Sequence, residues 1–327
     1  MSTPMMKAVR VHTFGDPDVL TYEDLPRPEP GPDEVLVRVH AAGLNPPDWY
    51  ARRGFANIPE PLRPVVALPF TPGSDISGVV AAVGRGVTEW RPGDEVFGLI
   101  RFPPLDHGGM GYAEYTTAPA ADLARKPASI DHIHAAAVPM AGLTAYQFLF
   151  DHIRLQSGRI VLVNGAGGGV GHFLVQLAKV RDAHVVAVAS GRHEAFLRML
   201  GADEFVDYTT TPFDTLTADV DHLVDTVGGP HGDRFPLVVK DGGTISHVFI
   251  AEYDRGPAVK RGITFPSGQV HSDGGQLGEL ARLIDQGRVR VGIDSVFALP
   301  DAAKAHERAE QGHIRGKIVL SVTPDQE

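Results

Sequence analysis

The segment Val163-Asn164-Gly165-Ala166-Gly167-Gly168-Gly169-Val170-Gly171 packs five glycines into residues 165–171. It follows a continuous apolar run, Arg159 to Asn164, and precedes a stretch with helical apolar spacing, Phe173 to Val180. Glycines let a backbone turn sharply and come close to a pyrophosphate. A helix N-terminus beyond them offers free N–H groups and the positive end of a dipole. The strand before and helix after separate this pattern from a ligand-free glycine-rich loop. The literal G-x-G-x-x-G spacing is absent: counted from Gly165 its third position is Val170, and counted from Gly167 it is His172. Ala166-x-Gly168-x-x-Gly171 does fit, which makes Ala166, Gly168, Gly169 and Val170 candidate phosphate contacts.

The residues downstream choose between dinucleotides. A site for NADH usually places an acid about 20 residues on, at the end of the second strand, against the ribose hydroxyls. Here that strand ends at Ala189 and continues Ser190-Gly191-Arg192-His193, with no carboxylate before Glu194. Ser190 and Arg192 instead supply donors suited to a 2′-phosphate, so NADPH is the expected cofactor. Tyr208, after the third strand, is placed to flank the adenine or bond the phosphate.

The elements that must hold these residues follow from apolar patterning. From about Ser129 onward, buried strands alternate with helices. The strands are Arg159 to Asn164, His184 to Ala189, Phe205 to Asp207, His222 to Asp225, Gly243 to Ile250 and Gly262 to Phe265. The helices are Ala135 to Phe150, interrupted by Pro139 and Gly142, then Phe173 to Val180 and Glu194 to Leu200, the last stopped by Gly201. This alternation implies a doubly wound parallel sheet covered on both faces. Before it, Val35 to His40, Ile76 to Val83 and Glu95 to Gly98 read as strands, with Pro and Gly punctuation that suits a small β-barrel. The tract from Phe55 to Gly73 holds Pro59, Pro61, Pro64, Pro69 and Pro72 and reads as a loop or lid. Gln276 to Gln286 is an amphipathic helix, and Lys317 to Val322 a last strand returning to the first domain.

Composition bounds the alternatives. The 327 residues suffice for two domains. With 43% apolar and 21% charged residues and a net charge of −10, the chain has globular composition and is a poor match for nucleic acid. There is no cysteine, so neither a disulfide nor a thiolate zinc cage can form. No apolar run approaches the ~20 residues of a membrane span, and residues 1–10 lack a signal-peptide core. A cytoplasmic location is expected.

Seven segments together resemble one family. They are Gly43-Leu-Asn45-Pro46-Pro-Asp48, Pro72-Gly73-Ser-Asp75-Ile-Ser-Gly78, Gly111-Tyr-Ala-Glu-Tyr115, Gly142-Leu-Thr144-Ala145, Ala166-Gly-Gly-Gly-Val-Gly171, Asp225-Thr-Val-Gly-Gly229 and Arg315-Gly-Lys317. Over essentially its whole length the chain resembles the medium-chain dehydrogenase/reductase superfamily, in its zinc-free quinone oxidoreductase (zeta-crystallin-like) and enone reductase branch. The resemblance implies an α/β fold. A GroES-like β-barrel domain (residues 1–126 and 267–327) would be split around a Rossmann domain (127–266), with a cleft between them and a homodimer as the assembly. It implies NADPH-dependent reduction of a quinone or an α,β-unsaturated carbonyl. A pathway-specific enoyl reductase and a non-catalytic NADPH-binding protein are the alternatives.

The resemblance also places residues. Asn45 belongs near the nicotinamide end, Thr144 near its ribose, Val227 and Phe249 in the nicotinamide pocket, and Lys317 by the cofactor phosphates. Tyr50 is the candidate proton donor. A second tyrosine often found after the next glycine is missing, since the chain reads Gly54-Phe55-Ala56. Zinc dehydrogenases of the superfamily carry a Cys ligand and a His-Glu pair where this chain has Ala42-Gly43-Leu44-Asn45 and Gly73-Ser74-Asp75, so no metal is expected. Asp48 and Asp75 are read as acids that cap and hold loops. Trp49, Phe55, Phe70 and Phe102 are candidates for an apolar substrate wall, none assigned individually.

Overall fold

The computed structural model describes residues 4–322 apart from 57, 59, 61–62, 103–109, 217–218 and 250–252. A hairpin opens the chain, β1 (Met5–Val11) antiparallel to β2 (Leu20–Pro26). Then come β3 (Glu34–Gly43), helix α1 (Pro46–Arg52), β4 (Asp75–Val83), β5 (Glu95–Leu99), β6 (Tyr115–Pro119) and β7 (Leu123–Arg125). These strands alternate apolar residues toward a core that holds Val35, Val37, Val39, Ile76, Val96 and Ile100.

Helices α2 (His132–Ala136) and α3 (Pro139–Tyr146) lead into the second unit. Pro139 falls in the first turn of α3, where its missing N–H costs nothing. The expected single helix from 135 to 150 is therefore two helices, followed by a π-helical turn at Gln147–His152. Next come β8 (Ile160–Asn164), α4 (Gly169–Val180), β9 (His184–Ala189), α5 (Glu194–Met199), β10 (Glu204–Asp207), β11 (Val220–Asp225) and β12 (Val239–His247). The chain closes with α6 (Gly256–Lys260), α7 (Gly274–Asp285), β13 (Ile293–Ala298), α8 (Ala302–Glu310) and β14 (Lys317–Ser321).

Strands β10-β9-β8-β11-β12 form one parallel sheet in that order. Order reverses at β8, so the turn after β8 lies at the topological switch point where such sheets bind ligands. The expected strand at 262–265 reduces to one bridge, Thr244 to Thr264, at the β12 edge. The second sheet runs β13-β14-β3-β4-β5-β7, with β6 paired to β3. Residues from both ends of the sequence thus share it: β14 pairs antiparallel with β3, placing Val319 opposite Gly43. Helix α7 buries Leu277, Leu280, Leu283 and Ile284 in a core that also holds Phe148, Phe173, Leu174 and, from the barrel side, Phe97 and Leu99. One continuous core therefore backs both units. Among the described residues no helix is long and apolar enough to cross a membrane.

Candidate active site

The phosphate turn is shaped by two glycines. Gly165 has φ +78, which favours glycine. A Cβ on Gly171 would lie 2.3 Å from the Gly165 carbonyl oxygen, so only glycine lets α4 start this close to β8. Ala166 is buried and donates its N–H to Val188 O (3.0 Å). Gly168 is the extended N-cap of α4 and contributes no side chain. As first-turn residues, Gly169 and Val170 have no intrahelical acceptor for their N–H groups. Buried His172 stiffens the turn: its Nδ1–H donates to Gly168 O (3.0 Å) and its Nε2 accepts from Gly292 N–H (3.3 Å). Burial pulls the His172 pKa down to about 4, which keeps the ring neutral and able to do both.

Two cavities meet along the ends of β8 and β11. The smaller, ≈ 560 Å³, is lined by Gly165, Gly168, Ser190, His193, Tyr208 and Arg234, among others. The larger, ≈ 800 Å³, is lined by Asn45, Tyr50, Thr144, Val170, Val227 and Phe249, with Phe55 and Phe102 also in its wall. Thr226 and Val227 line both, so a single groove passes from the phosphate turn to the Tyr50 pocket. Trp49 and Phe70 are not among the lining residues. Of the proline-rich tract, residues 57, 59 and 61–62 lie outside the described residues.

The end of the groove beyond β9 carries several basic residues. Arg192 is exposed; its Nη2 donates to His313 O (2.8 Å) and its Nε to His193 Nε2 (3.3 Å). Arg192 itself is not among the lining residues, but both its partners are. His193 is 6% exposed, and its Nδ1 has no partner. Burial, with Arg192, Arg315 and His313 nearby, lowers the His193 pKa, and Asp294 alone opposes them.

The larger cavity rests on a buried polar cluster that the sequence did not disclose. Asn45 caps α1, and its backbone N–H donates to Asp48 Oδ2 (2.8 Å). Asp48 Oδ1 accepts from Gly73 N–H (3.1 Å), and Tyr112 OH donates to Oδ2 (3.3 Å). Asp75 Oδ1 accepts the Met140 N–H at the start of α3 (2.8 Å), and its Oδ2 accepts from Asn45 Nδ2 (2.9 Å). Both acids hold loops and helix starts, as their sequence context indicates. Burial raises Asp48 to about 7 and Asp75 to about 6.

Lys317 runs from the phosphate turn to the buried polar cluster. Its stem passes the phosphate turn: a Cβ on Gly169 would lie 3.1 Å from Lys317 Cδ. Its ammonium donates to Leu44 O (2.7 Å) and Asn45 Oδ1 and lies 3.8 Å from Asp75 Oδ2. The physical reason is the two carboxylates, Asp48 and Asp75, which need a buried cation. Thr144 Oγ1 donates back to Met140 O (2.6 Å) within α3. The Tyr50 ring lies 5.4 Å from that of Phe249, and burial raises its phenol pKa, so the hydroxyl stays protonated.

A second chain of polar contacts was also missed. Asp225 accepts from Asn164 Nδ2, Val227 N–H and Gly228 N–H (2.8, 3.0 and 3.0 Å). It also bonds His247 Nδ1 (3.0 Å), whose Nε2 meets Tyr253 OH (3.0 Å). The Asp225-Thr-Val-Gly-Gly229 motif gave a signal for Asp225; nothing local marks His247 or Tyr253.

Known proteins are similar to this chain in sequence and fold. The alcohol dehydrogenase GroES-like domain family matches residues 31–128, and the zinc-binding dehydrogenase family matches residues 200–320. The chloroplastic quinone-oxidoreductase QR1 of Triphysaria versicolor is 32% identical, over 98% of this chain and 99% of its own length. The 2-methylene-furan-3-one reductase of Solanum lycopersicum is 36% identical, over 98% of this chain and 80% of its own. Among solved structures, the quinone oxidoreductase from Coxiella burnetii superimposes with a TM-score of 0.86 at 34% identity, covering 98% of this chain and all of that one.

Proposed function

Since this chain belongs to the medium-chain dehydrogenase/reductase superfamily, in its quinone oxidoreductase and enone reductase branch, we propose that it is a zinc-independent, NADPH-dependent reductase of quinones or α,β-unsaturated carbonyl compounds. The observation that carries the reading is the continuous groove. It starts at the phosphate turn on the sheet's switch point and ends in a mainly apolar pocket holding Asn45 and Tyr50.

The residues fit the cofactor. The amides of Gly169 and Val170 with the adjoining Ala166 and Gly168 would hold the pyrophosphate. Ser190, Arg192 and Tyr208 would hold the 2′-phosphate end, where the nearby carboxylates, Asp207 and Asp294, are already hydrogen-bonded. Thr144, Val227 and Phe249 would frame the nicotinamide. NADPH would supply a hydride from nicotinamide C4. The protein's part is orientation and stabilisation of the charge that forms on the substrate oxygen. Tyr50 would give the proton.

The residues do not fit a catalytic zinc ion. The two tracts that would carry its ligands supply Asn45 and Asp75, and the Lys317 ammonium already lies 3.8 Å from Asp75. A dication there would face a buried cation. Among the described residues no group of three or more His, Asp or Glu side chains is arranged to hold a metal.

The reading assigns residues 1–126 and 267–327 to the catalytic domain and 127–266 to the cofactor domain, supported by the separation of the five-stranded parallel sheet from the other two sheets. It places the enzyme in the cytoplasm as a homodimer. Exposed Leu237 and Val259 flank the β12 edge and suit a second copy. The test is NADPH oxidation monitored against a simple quinone, an enone and an enoyl thioester. Turnover of the quinone or enone supports the reading. Turnover of the thioester alone favours a pathway enoyl reductase. Tight NADPH binding without turnover of any of them makes the chain a binding protein.

A further inference from the structure

The Asn45 side chain is held at both ends. Its Oδ1 accepts from the Lys317 ammonium, and its Nδ2 donates to Asp75 Oδ2 at 2.9 Å. An ammonium can only donate and a carboxylate only accept, so the amide cannot flip. The three residues sit at one end of three adjacent strands. Asn45 follows β3, Asp75 begins β4, and Lys317 begins β14, with Gly43 opposite both Asp75 and Val319. All three are buried: 2% exposed for Asn45, 0% for Asp75 and 3% for Lys317. Such a frame leaves the amide almost no rotational freedom.

The amide nitrogen carries two hydrogens, and only one is engaged. Among the described residues the second has no acceptor, and Asn45 lines the larger cavity beside Tyr50 and Phe249. Nδ2 already donates one hydrogen to Asp75, and the other is available to an oxygen that enters the cavity. The ammonium bonded to the same amide makes that N–H a stronger donor. When a conjugated carbonyl compound accepts a hydride at its β-carbon, the C=C electron pair moves toward the carbonyl oxygen, which becomes an enolate oxygen. A proton then adds at the α-carbon. Charge grows on the oxygen during the first of these steps.

We propose that Lys317 and Asp75 are positioning residues that fix the Asn45 amide with its free N–H toward the cleft, where it bonds the substrate oxygen as negative charge forms on it. This rests on the reductase reading above and adds to it the group that takes the place of a Lewis acid. Fixed donors aimed at developing charge act without reorganising, and loss of one commonly lowers kcat by ~10²–10³.

Asn45→Ala, Lys317→Met and Lys317→Gln test it, each with three readouts: kcat and KM for an enone, NADPH Kd by fluorescence, and the absorption shift of bound 4-nitrophenolate, an oxyanion that needs no turnover. Asn45→Ala should lose about 100- to 1000-fold in kcat, keep the NADPH Kd within about twofold, and abolish the nitrophenolate shift. Lys317→Met should lose at least about tenfold in kcat. Lys317→Gln should regain most of that, because its amide can again donate to Asn45 Oδ1. A merely structural lysine would give equal defects in Met and Gln variants, and that result overturns the positioning role. Unchanged kcat and nitrophenolate shift in Asn45→Ala overturn the donor role, as does a loss confined to NADPH Kd. If Lys317→Met does not fold, Asp75→Ala, which removes the acceptor for Asn45 Nδ2, should reproduce its kcat loss. If the wild type reduces no enone or quinone, the reductase reading fails. The nitrophenolate shift still decides the donor.

Discussion

Arg192→Ala should weaken NADPH binding about 10- to 150-fold while leaving NADH within about twofold. The guanidinium has five N–H donors. One is engaged with His193 Nε2 and one with His313 O, so three remain for a phosphate. His193, His313 and Arg315 add no anion, Asp294 is tied to Arg308 (2.8 Å) and to the Arg315 N–H (3.0 Å), and Asp207, next to Gly191, already accepts from the Thr209 N–H (2.9 Å) and hydroxyl (2.7 Å). A charge-assisted hydrogen bond contributes ~1.5–3 kcal/mol, and each 1.4 kcal/mol is about tenfold in affinity. Because Arg192 is exposed, salt should erode the difference: raising ionic strength from about 0.05 to 0.5 M shortens the Debye length below ~5 Å and should narrow the NADPH-to-NADH ratio. Loss of the bond to His313 O would disturb the loop for both cofactors alike, which is why the ratio is read and not the NADPH value alone. Fluorescence titration of wild type and variant with both cofactors measures it. Equal weakening of NADH and NADPH would refute the claim that Arg192 reads the 2′-phosphate.

Tyr50→Phe should slow enone reduction at least about tenfold, within the range for a general acid, and affect quinone reduction less; wild-type rates with both substrates would make Tyr50 a wall residue. Activity should survive prolonged chelation, and metal analysis should find no stoichiometric zinc; one zinc per chain with activity lost on its removal would refute zinc independence. Acid stability should depend on His306, which burial and the neighbouring Arg52 hold at a pKa of about 3. Unfolded histidine titrates near ~6.5, so this stability is complete above that pH and is lost as pH falls toward 3, by about 3 kcal/mol at pH 4. Asp48 and Asp75, raised by burial, act in the opposite sense and cost stability as pH rises through 4 to 7. His306→Phe should therefore flatten the acid limb of a melting-temperature profile, and curves parallel to wild type would show that His306 does not set it.

The parts legible in the sequence were those written in contiguous residues. Strand β8 is a solid apolar run, α4 and α7 carry clean helical stripes, and the turn between β8 and α4 is one unbroken glycine segment. Strands β2 and β13 escaped because only partial burial alternates along them, with no full apolar face to mark them. The first helix of the second unit split because Pro139 starts α3 afresh. At the site, Asn45 and Tyr50 are marked by the tract they share, whereas the contacts of the Lys317 ammonium are not written locally. Its partners, Leu44, Asn45 and Asp75, are assembled only when β14 docks beside β3, and no local pattern records that pairing. His193 was passed over for its neighbour Arg192 because adjacent residues differ in burial only once the chain is folded.

The insertion of β14 beside β3 also has a consequence during synthesis. Leu44 and the lysine that caps its carbonyl are 273 residues apart. At a translation rate of ~5–20 residues per second, the early strands wait roughly 15–55 s for their partner. Through that interval β3 lacks one neighbour, an open edge able to recruit a strand from another nascent chain, and the acids at 48 and 75 have no ammonium to accompany them out of water. The unit built on the seven-stranded sheet is therefore the last to mature, although most of it is made first. A ribosome-bound chain lacking the final strand should have a formed parallel sheet and an unfinished barrel.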